Sequence, residues 1–167
     1  LLRTTLGPDG LVGLARKLSP PPIVVYTHNV WYKNTQVDKV VKSLASSPVY
    51  DFACVQEGTT AMLSAIAGAL PSSHTIFYNH ACSAKKVYAA LIYRSERFAI
   101  EGAPFYGCFK LSSGKTQGGR PVVGAVFRDE WVGRRTLVLS VHAPHDSQEP
   151  YFLLPNLQYF VQETLKA

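Results

Sequence analysis

A chain of 167 residues suits one domain with a substantial core and is short for two. Its 47% hydrophobic and 17% charged content excludes a disordered chain, and with no run of about 18 apolar residues no membrane span is expected. The formal net charge of +6 disfavours cationic partners and favours anionic ones: nucleic acid, phosphorylated small molecules or anionic lipid surfaces.

Residues 1–22 read as a polar lead-in, closed by Pro20, Pro21 and Pro22, which hold it extended. Ile23 to Trp31 follows as a strand, β-branched and aromatic with no helical period. Thr35 is placed to cap a helix whose apolar positions Val37, Val40, Val41 and Leu44 recur at helical spacing, ending before Pro48. Tyr50 to Gln56 is a short apolar run suited to a buried strand, and Thr59 or Thr60 opens a second helix that runs through Leu70 to Pro71. The period then changes. His74–Tyr78, Val87–Tyr93, Phe105–Leu111, Pro121–Phe127 and Thr136–His142 are strand-like runs parted by Gly, Ser, Pro and charged residues. A helix from about Pro155 to Lys166 closes the chain, with Pro155 at a tolerated first-turn position. This order predicts one α/β sandwich over residues 23–167, helices covering sheet.

Positive charge concentrates between Lys85 and Arg135, where Arg94, Arg97, Lys110, Arg120 and Arg128 are among the contributors. An anion-binding face and an ordinary solvated surface both fit that pattern. Cys54, Cys82 and Cys108 lack metal-ligand spacing, and His28, His74 and His80 form no zinc pattern with Cys82. Cys54 reads as a buried thiol. A Cys82–Cys108 disulfide would suit a secreted protein, but nothing in the sequence requires it.

Three strand ends carry polar groups capable of chemistry. Tyr26 to Trp31 ends in His28-Asn29-Val30, where an amide could hold a phosphate or a metal-bound water, or simply cap a turn. Val55-Gln56-Glu57-Gly58 brings a carboxylate out of an apolar strand; unpaired burial is costly, so it needs a cation or several donors, or else solvent. A hard ion such as Mg²⁺ would satisfy it with oxygen ligands and water. Ser140-Val141-His142-Ala143-Pro144-His145 sends an imidazole from a β-branched strand into a loop, where it could protonate a leaving oxygen or serve as a hydrogen-bonded core histidine. His145 reads as a loop histidine.

The order of these motifs resembles the endonuclease/exonuclease/phosphatase superfamily from about Ile23 to Ala167. The series runs from the Asn29 strand end through the Gln56-Glu57 strand end, Ala90-Leu91-Ile92-Tyr93-Arg94-Ser95-Glu96-Arg97-Phe98 and Gly118-Gly119-Arg120-Pro121 to the His142 strand end. Likeness is greatest to the deoxyribonuclease I branch and the cytolethal distending toxin nuclease subunit, and the Thr27-His28-Asn29-Val30 stretch is similar to bacterial sphingomyelinases. The resemblance implies a four-layer α/β/β/α sandwich of the deoxyribonuclease I-like type, incomplete in this chain. It also implies a divalent-metal-dependent phosphodiester hydrolase. Glu57 would ligate Mg²⁺ or Mn²⁺, Asn29 would bind near the scissile phosphate and help position the ion, His142 would protonate the leaving oxygen, and Arg120 would contact a substrate phosphate. The partner implied is an anionic phosphodiester, nucleic acid among the candidates. Deoxyribonuclease I carries a groove-reading arginine two residues after its glutamate; Thr59 stands here, which argues against duplex DNA.

The family also carries a Gly-Asp-x-Asn strand and a late Ser-Asp-His, and neither occurs in these residues. The expectation is that the remaining half of the domain, or a partner subunit, completes the sandwich, since half of it would expose an apolar face and open edges. The alternative is a catalytically inactive truncated relative acting as a structural or binding component of an assembly.

Overall fold

The computed structural model of the chain describes residues 21–46, 48–78, 87–110, 116–143 and 150–166. Alternation along two strands decides how its layers stack. β2 (Phe52–Gly58) sends Phe52 and Cys54 to one face and Ala53 and Val55 to the other; β4 (Tyr88–Arg94) does the same with Ala89 and Leu91 against Tyr88, Ala90 and Ile92. Both faces are apolar, so both must be covered. The first sheet has the order β1-β2-β4-β3, with β1 (Val25–Asn29) parallel to β2 and β3 (His74–Tyr78) antiparallel to β4. The second is an antiparallel meander of β5 (Phe98–Lys110), β6 (Thr116–Asp129) and β7 (Arg135–Val141).

Phe52, Cys54 and Leu91 meet Phe98, Val123, Ala125 and Phe127 between the sheets. Phe52 lies at the centre of this layer, its ring 4.6 Å from Phe98 and 4.9 Å from Phe127. Burying one such ring contributes roughly 1.5–3 kcal/mol. The outer face of the first sheet is covered by α1 (Val37–Ala45) and α2 (Thr60–Ala69) through Val40, Leu44, Met62, Leu63 and Ile66. The outer face of the second is covered by α3 (Pro150–Lys166), whose Phe160 packs on Phe109 and Val122. The layers therefore run α/β/β/α, the architecture that the resemblance implied.

Several sequence expectations need correction. Thr35 does not cap α1: Gln36 occupies the cap without a side-chain bond, and Asn34 Oδ1 accepts from the Gln36 N–H at 2.8 Å instead. β5 begins at Phe98, not Phe105, because Gly102 (φ +76°) absorbs an irregularity between Glu101 and Phe105 and lets one strand continue through it. β6 extends on both sides of Pro121–Phe127 because β5 pairs with it along its length. Pro150, not Pro155, opens α3; Pro155 lies inside it and gives up one helix hydrogen bond. Cys54 is a free buried thiol, and burial pushes it up to about 11 against a lowering bond from Ser140. Cys108 is disulfide-bonded. Cys82, His80, His145 and residues 1–20 of the lead-in lie outside the described residues.

The sheets overlap with an offset. β4 lies over β6 and β2 over β7, so β1 projects one strand beyond the second sheet. Val25 pairs with Phe52 and shares its inward face, yet Val25 is 59% exposed where Phe52 is fully buried. At the end where β1 and β2 begin, Arg97 is 1% exposed and closes the sandwich. It donates to Asp129 Oδ2 at 2.8 Å and Asp51 Oδ2 at 3.1 Å, and to the carbonyls of Pro21 and Pro22. The rings of Phe98 and Trp131 each lie 4.8 Å from its guanidinium.

Candidate active site

At the opposite end of the sandwich, four chain segments from both sheets converge. Asn29 ends β1, Glu57 leaves β2, Arg120 lies on β6 beside Pro121, and His142 follows β7 directly. Parallel pairing of β1 with β2 brings Asn29 opposite Gln56, so the two strand ends are level. The β2–β7 contact brings the second sheet to the same corner. Asn29 Nδ2 donates to Glu57 Oε1 at 3.0 Å, and His142 Nε2 lies 3.3 Å from that same oxygen. Arg120 Nη1 contacts His142 Nε2 on its other side. All four residues singled out in the sequence thus form one contiguous cluster.

The backbone is bent to make it. The β2 ladder shifts register between Val55 and Gly58, and Glu57 sits within that bulge at φ +60°. A non-glycine residue held there costs of order 1–3 kcal/mol, and the surroundings must hold it in place. On one side the Tyr32 N–H donates to Glu57 Oε2 at 3.4 Å. On the other, a Cβ on Gly58 would lie 2.7 Å from Leu63 Cδ2, so only glycine lets α2 pack this closely behind the carboxylate. Thr59 then caps α2, its Oγ1 accepting from the Met62 N–H at 3.3 Å. That is the position where the resemblance would have set a groove-reading arginine.

Burial pushes the Glu57 carboxyl up, but the Asn29 amide, the Tyr32 N–H, His142 and Arg120 together outweigh it and hold the group below its ordinary value. Glu57 is therefore an anion with 12% side-chain exposure, beside a permanent cation. A guanidinium can only donate, so His142 Nε2 acts as an acceptor toward Arg120 and, when protonated, as a donor toward Glu57. One nitrogen thus faces a proton-repelling and a proton-attracting neighbour, an arrangement suited to moving a proton. Among the described residues no group of three His, Cys, Asp or Glu gathers as a metal site; Glu57 is the acidic member of this cluster.

The sequence pointed to these four side chains but not to what supports them. Beneath the site, Thr27 Oγ1 lies 3.4 Å from Gln56 Oε1, Gln56 Nε2 lies 3.5 Å from Ser140 Oγ, and Ser140 Oγ donates to the Val55 carbonyl at 3.3 Å. This thread crosses from one sheet to the other one or two residues behind Asn29, Glu57 and His142. The turn after β1 was also missed: Trp31 has φ +55° and its N–H donates to Asn29 Oδ1 at 3.0 Å. Polar residues at inward positions of β1, β2 and β7 were the available signal for the thread; nothing local announces a left-handed tryptophan.

No family model and no curated protein matches the chain. Solved structures do. The chain is similar to an endonuclease/exonuclease/phosphatase from Bacteroides vulgatus at 17% identity, covering 86% of this chain and 60% of that one with a TM-score of 0.68. It is similar to a mannosyl-6-phosphatase from Bacteroides thetaiotaomicron at 17% identity, with 85% and 60% covered and a TM-score of 0.67. It is also similar to D. rerio TDP2 complexed with a single strand DNA product, at 16% identity, with 87% and 55% covered and a TM-score of 0.65. The chain spans 60% or less of the length of each. Likeness at these identities establishes the fold.

Proposed function

We propose that this chain, which has the endonuclease/exonuclease/phosphatase fold, is the N-terminal part of a divalent-metal-dependent phosphodiester hydrolase. One observation carries the reading: an ionised Glu57, held in a strained bulge, has Asn29 at 3.0 Å and His142 at 3.3 Å, with Arg120 against His142. Strain concentrated on an acidic residue at a strand-end corner is a mark of function, because folding alone gives no reason to keep it. The mannosyl-6-phosphatase and the DNA-bound TDP2 act on or bind phosphate esters, which supports the substrate class without narrowing it.

Glu57 fits Mg²⁺ or Mn²⁺. Mg²⁺ is commonly held by one or two carboxylates, with waters and substrate phosphate filling the remaining positions. When bound, the ion would offset negative charge developing on the phosphoryl oxygens. Asn29 would orient Glu57 and meet the phosphate with its amide. Arg120 would pair with a phosphate oxygen, and His142 Nε2 would hand a proton to the leaving oxygen. The inward but uncovered face of β1 at Val25, and the unpaired outer edges of β1 and β7 among the described residues, are where the remaining half of the domain or a partner subunit would pack.

The test uses the full-length protein with a generic phosphodiester. Turnover should require Mg²⁺ or Mn²⁺, stop with a chelator, and fall by at least about 10²–10³-fold in Glu57→Gln, which keeps the shape and removes the charge. Turnover that ignores Glu57→Gln would remove Glu57 from the active site, and a full-length protein with no metal-dependent turnover at all would favour the inactive assembly component instead.

A further inference from the structure

Packing among the described residues does not account for Trp31. The residue sits at φ +55°, a backbone that glycine adopts without strain and a bulky side chain resists. Its side chain is not buried in compensation: Trp31 is 58% exposed, and its indole has no ring or cation partner among the described residues. The turn is nonetheless fixed from both sides. The Trp31 N–H donates to Asn29 Oδ1 at 3.0 Å, the Tyr32 N–H donates to Glu57 Oε2 at 3.4 Å, and the Asn34 N–H closes the turn on the Trp31 carbonyl at 2.7 Å. Among the described residues a large aromatic face is therefore left uncovered on a turn anchored directly to Asn29 and Glu57.

We propose that Trp31 is a stacking platform for an unpaired nucleobase adjoining the phosphate bound at Asn29 and Glu57, which makes single-stranded nucleic acid or a nucleotide the substrate class. The inference rests on the phosphodiesterase reading for where that phosphate lies. A nucleotide carries a planar aromatic group a few bonds from its phosphate, matching an indole two residues from Asn29. Stacking is tolerant of base identity and needs only an exposed, immobile aromatic face. A lipid surface fits less well. The exposed apolar residues at this turn are aromatic, Trp31 and Tyr32, next to Lys33, whose ammonium lies 5.7 Å from the Tyr32 ring centre. Among the described residues the large exposed aliphatic side chains are Val24 and Val25 at the start of β1, Val49 before β2 and Leu165 near the end of α3, and none of them belongs to this turn.

Substitution of Trp31 identifies its resonance and makes the test direct. Full-length protein labelled with fluorotryptophan is titrated, without metal, with an oligothymidylate, an abasic oligomer of equal length, and phosphatidylcholine/phosphatidylserine vesicles, and followed by fluorine NMR. The Trp31 resonance, assigned by its loss in Trp31→Phe, should move with oligothymidylate while that of Trp131 stays still. Trp31→Gly, which suits the backbone, should weaken oligothymidylate binding by about 5–150-fold and abasic binding little, and Trp31→Phe should restore most of the difference. Equal effects of Trp31→Gly on both oligomers would overturn the proposal. So would a Trp31 resonance that responds to vesicles but not to oligothymidylate. A protein that shows the stacking signature yet hydrolyses no phosphodiester would sink the hydrolase reading alone.

Discussion

The two ends of the sandwich collect the same kinds of side chain and leave them in different states. At one end Arg97 lies between Asp51 and Asp129, two carbonyls and two aromatic rings, and neither it nor Asp129 is more than 1% exposed. At the other, Arg120 and Glu57 face each other across His142, with Glu57 in a left-handed bulge and Asn29 open to solvent. The first cluster is saturated: every strong donor of Arg97 has an acceptor within the chain. The second keeps part of its polar surface open, with Glu57 12% exposed and Asn29 in solvent. A buried, internally paired ion cluster holds a fold together, whereas a strained one that reaches solvent is available to a ligand. Substitutions at the two ends should therefore affect different measurements.

The largest effect is expected from His142→Ala. If His142 donates the leaving-group proton, turnover of the full-length protein on an alkyl phosphodiester should fall about 10²–10⁴-fold. On an aryl phosphodiester, whose leaving group needs no proton, the defect should shrink, while that of Glu57→Gln persists. An equal His142→Ala defect on both substrates would assign the residue to positioning. Next is Arg97→Ala at the far end. Removing one partner from a buried ion cluster leaves its carboxylates uncompensated and typically costs about 3–5 kcal/mol. Denaturant unfolding should register that loss, while turnover per folded molecule, measured well below the melting temperature, stays near wild type. If Arg97→Ala instead abolished turnover in folded protein, the two ends would be coupled and the comparison would fail.

This contrast was only half visible in the sequence. Asn29, Glu57 and His142 could be singled out because each sits at a strand end, and strand ends follow from short apolar runs such as Phe52–Val55 and Leu137–Val141, whereas Arg120, inside β6, is implied by the resemblance alone. The residues alone predict an α/β sandwich with helices covering sheet; four layers are implied only by the resemblance, and the two apolar faces of β2 and β4 show in the structure why both must be covered. Arg97 gave no such signal. In sequence it is one more basic residue in a charged stretch, and its burial arises only when Asp51 and Asp129, 46 and 32 residues away, close over it. The start of β5 was hidden for a similar reason: Gly102 and Pro104 look like breakers until β6 pairs across them. Left-handed backbone at Trp31 and Glu57 is imposed by hydrogen bonds between strand ends, which no local pattern records.

A smaller effect follows from the Glu57 carboxyl. Because its folded-state value is depressed, ionised Glu57 contributes stability that is fully present above the unfolded carboxyl value of about 4.3 and is lost as pH falls through the folded value. In metal-free protein the stability advantage of wild type over Glu57→Gln should hold from neutral pH down to about pH 5, then shrink as acid protonates the group. An advantage that grew on acidification would reverse the sign. It would mean that burial, not Asn29, Tyr32, His142 and Arg120, governs the group.

The smallest expected change lies between the two regimes, at Thr59. It stands two residues after Glu57, yet its hydroxyl faces the helix: Oγ1 accepts from the Met62 N–H at 3.3 Å and satisfies one of the unpaired donors at the start of α2. Thr59→Ala should lower stability by about 0.5–2 kcal/mol, and Thr59→Ser should recover most of it because serine retains the acceptor. Turnover per folded molecule should hardly move, since Glu57 is fixed by Asn29, Tyr32 and the packing of Gly58 against Leu63, and Thr59 meets that set through its backbone, its carbonyl accepting from the Leu63 N–H at 2.9 Å, which the substitution keeps. The informative result is the opposite one. If Thr59→Ala lowered kcat while Thr59→Ser did not, the cap would be transmitting order through the bulge to the carboxylate. The first turn of α2 would then belong with the strained end of the molecule, not with its scaffold.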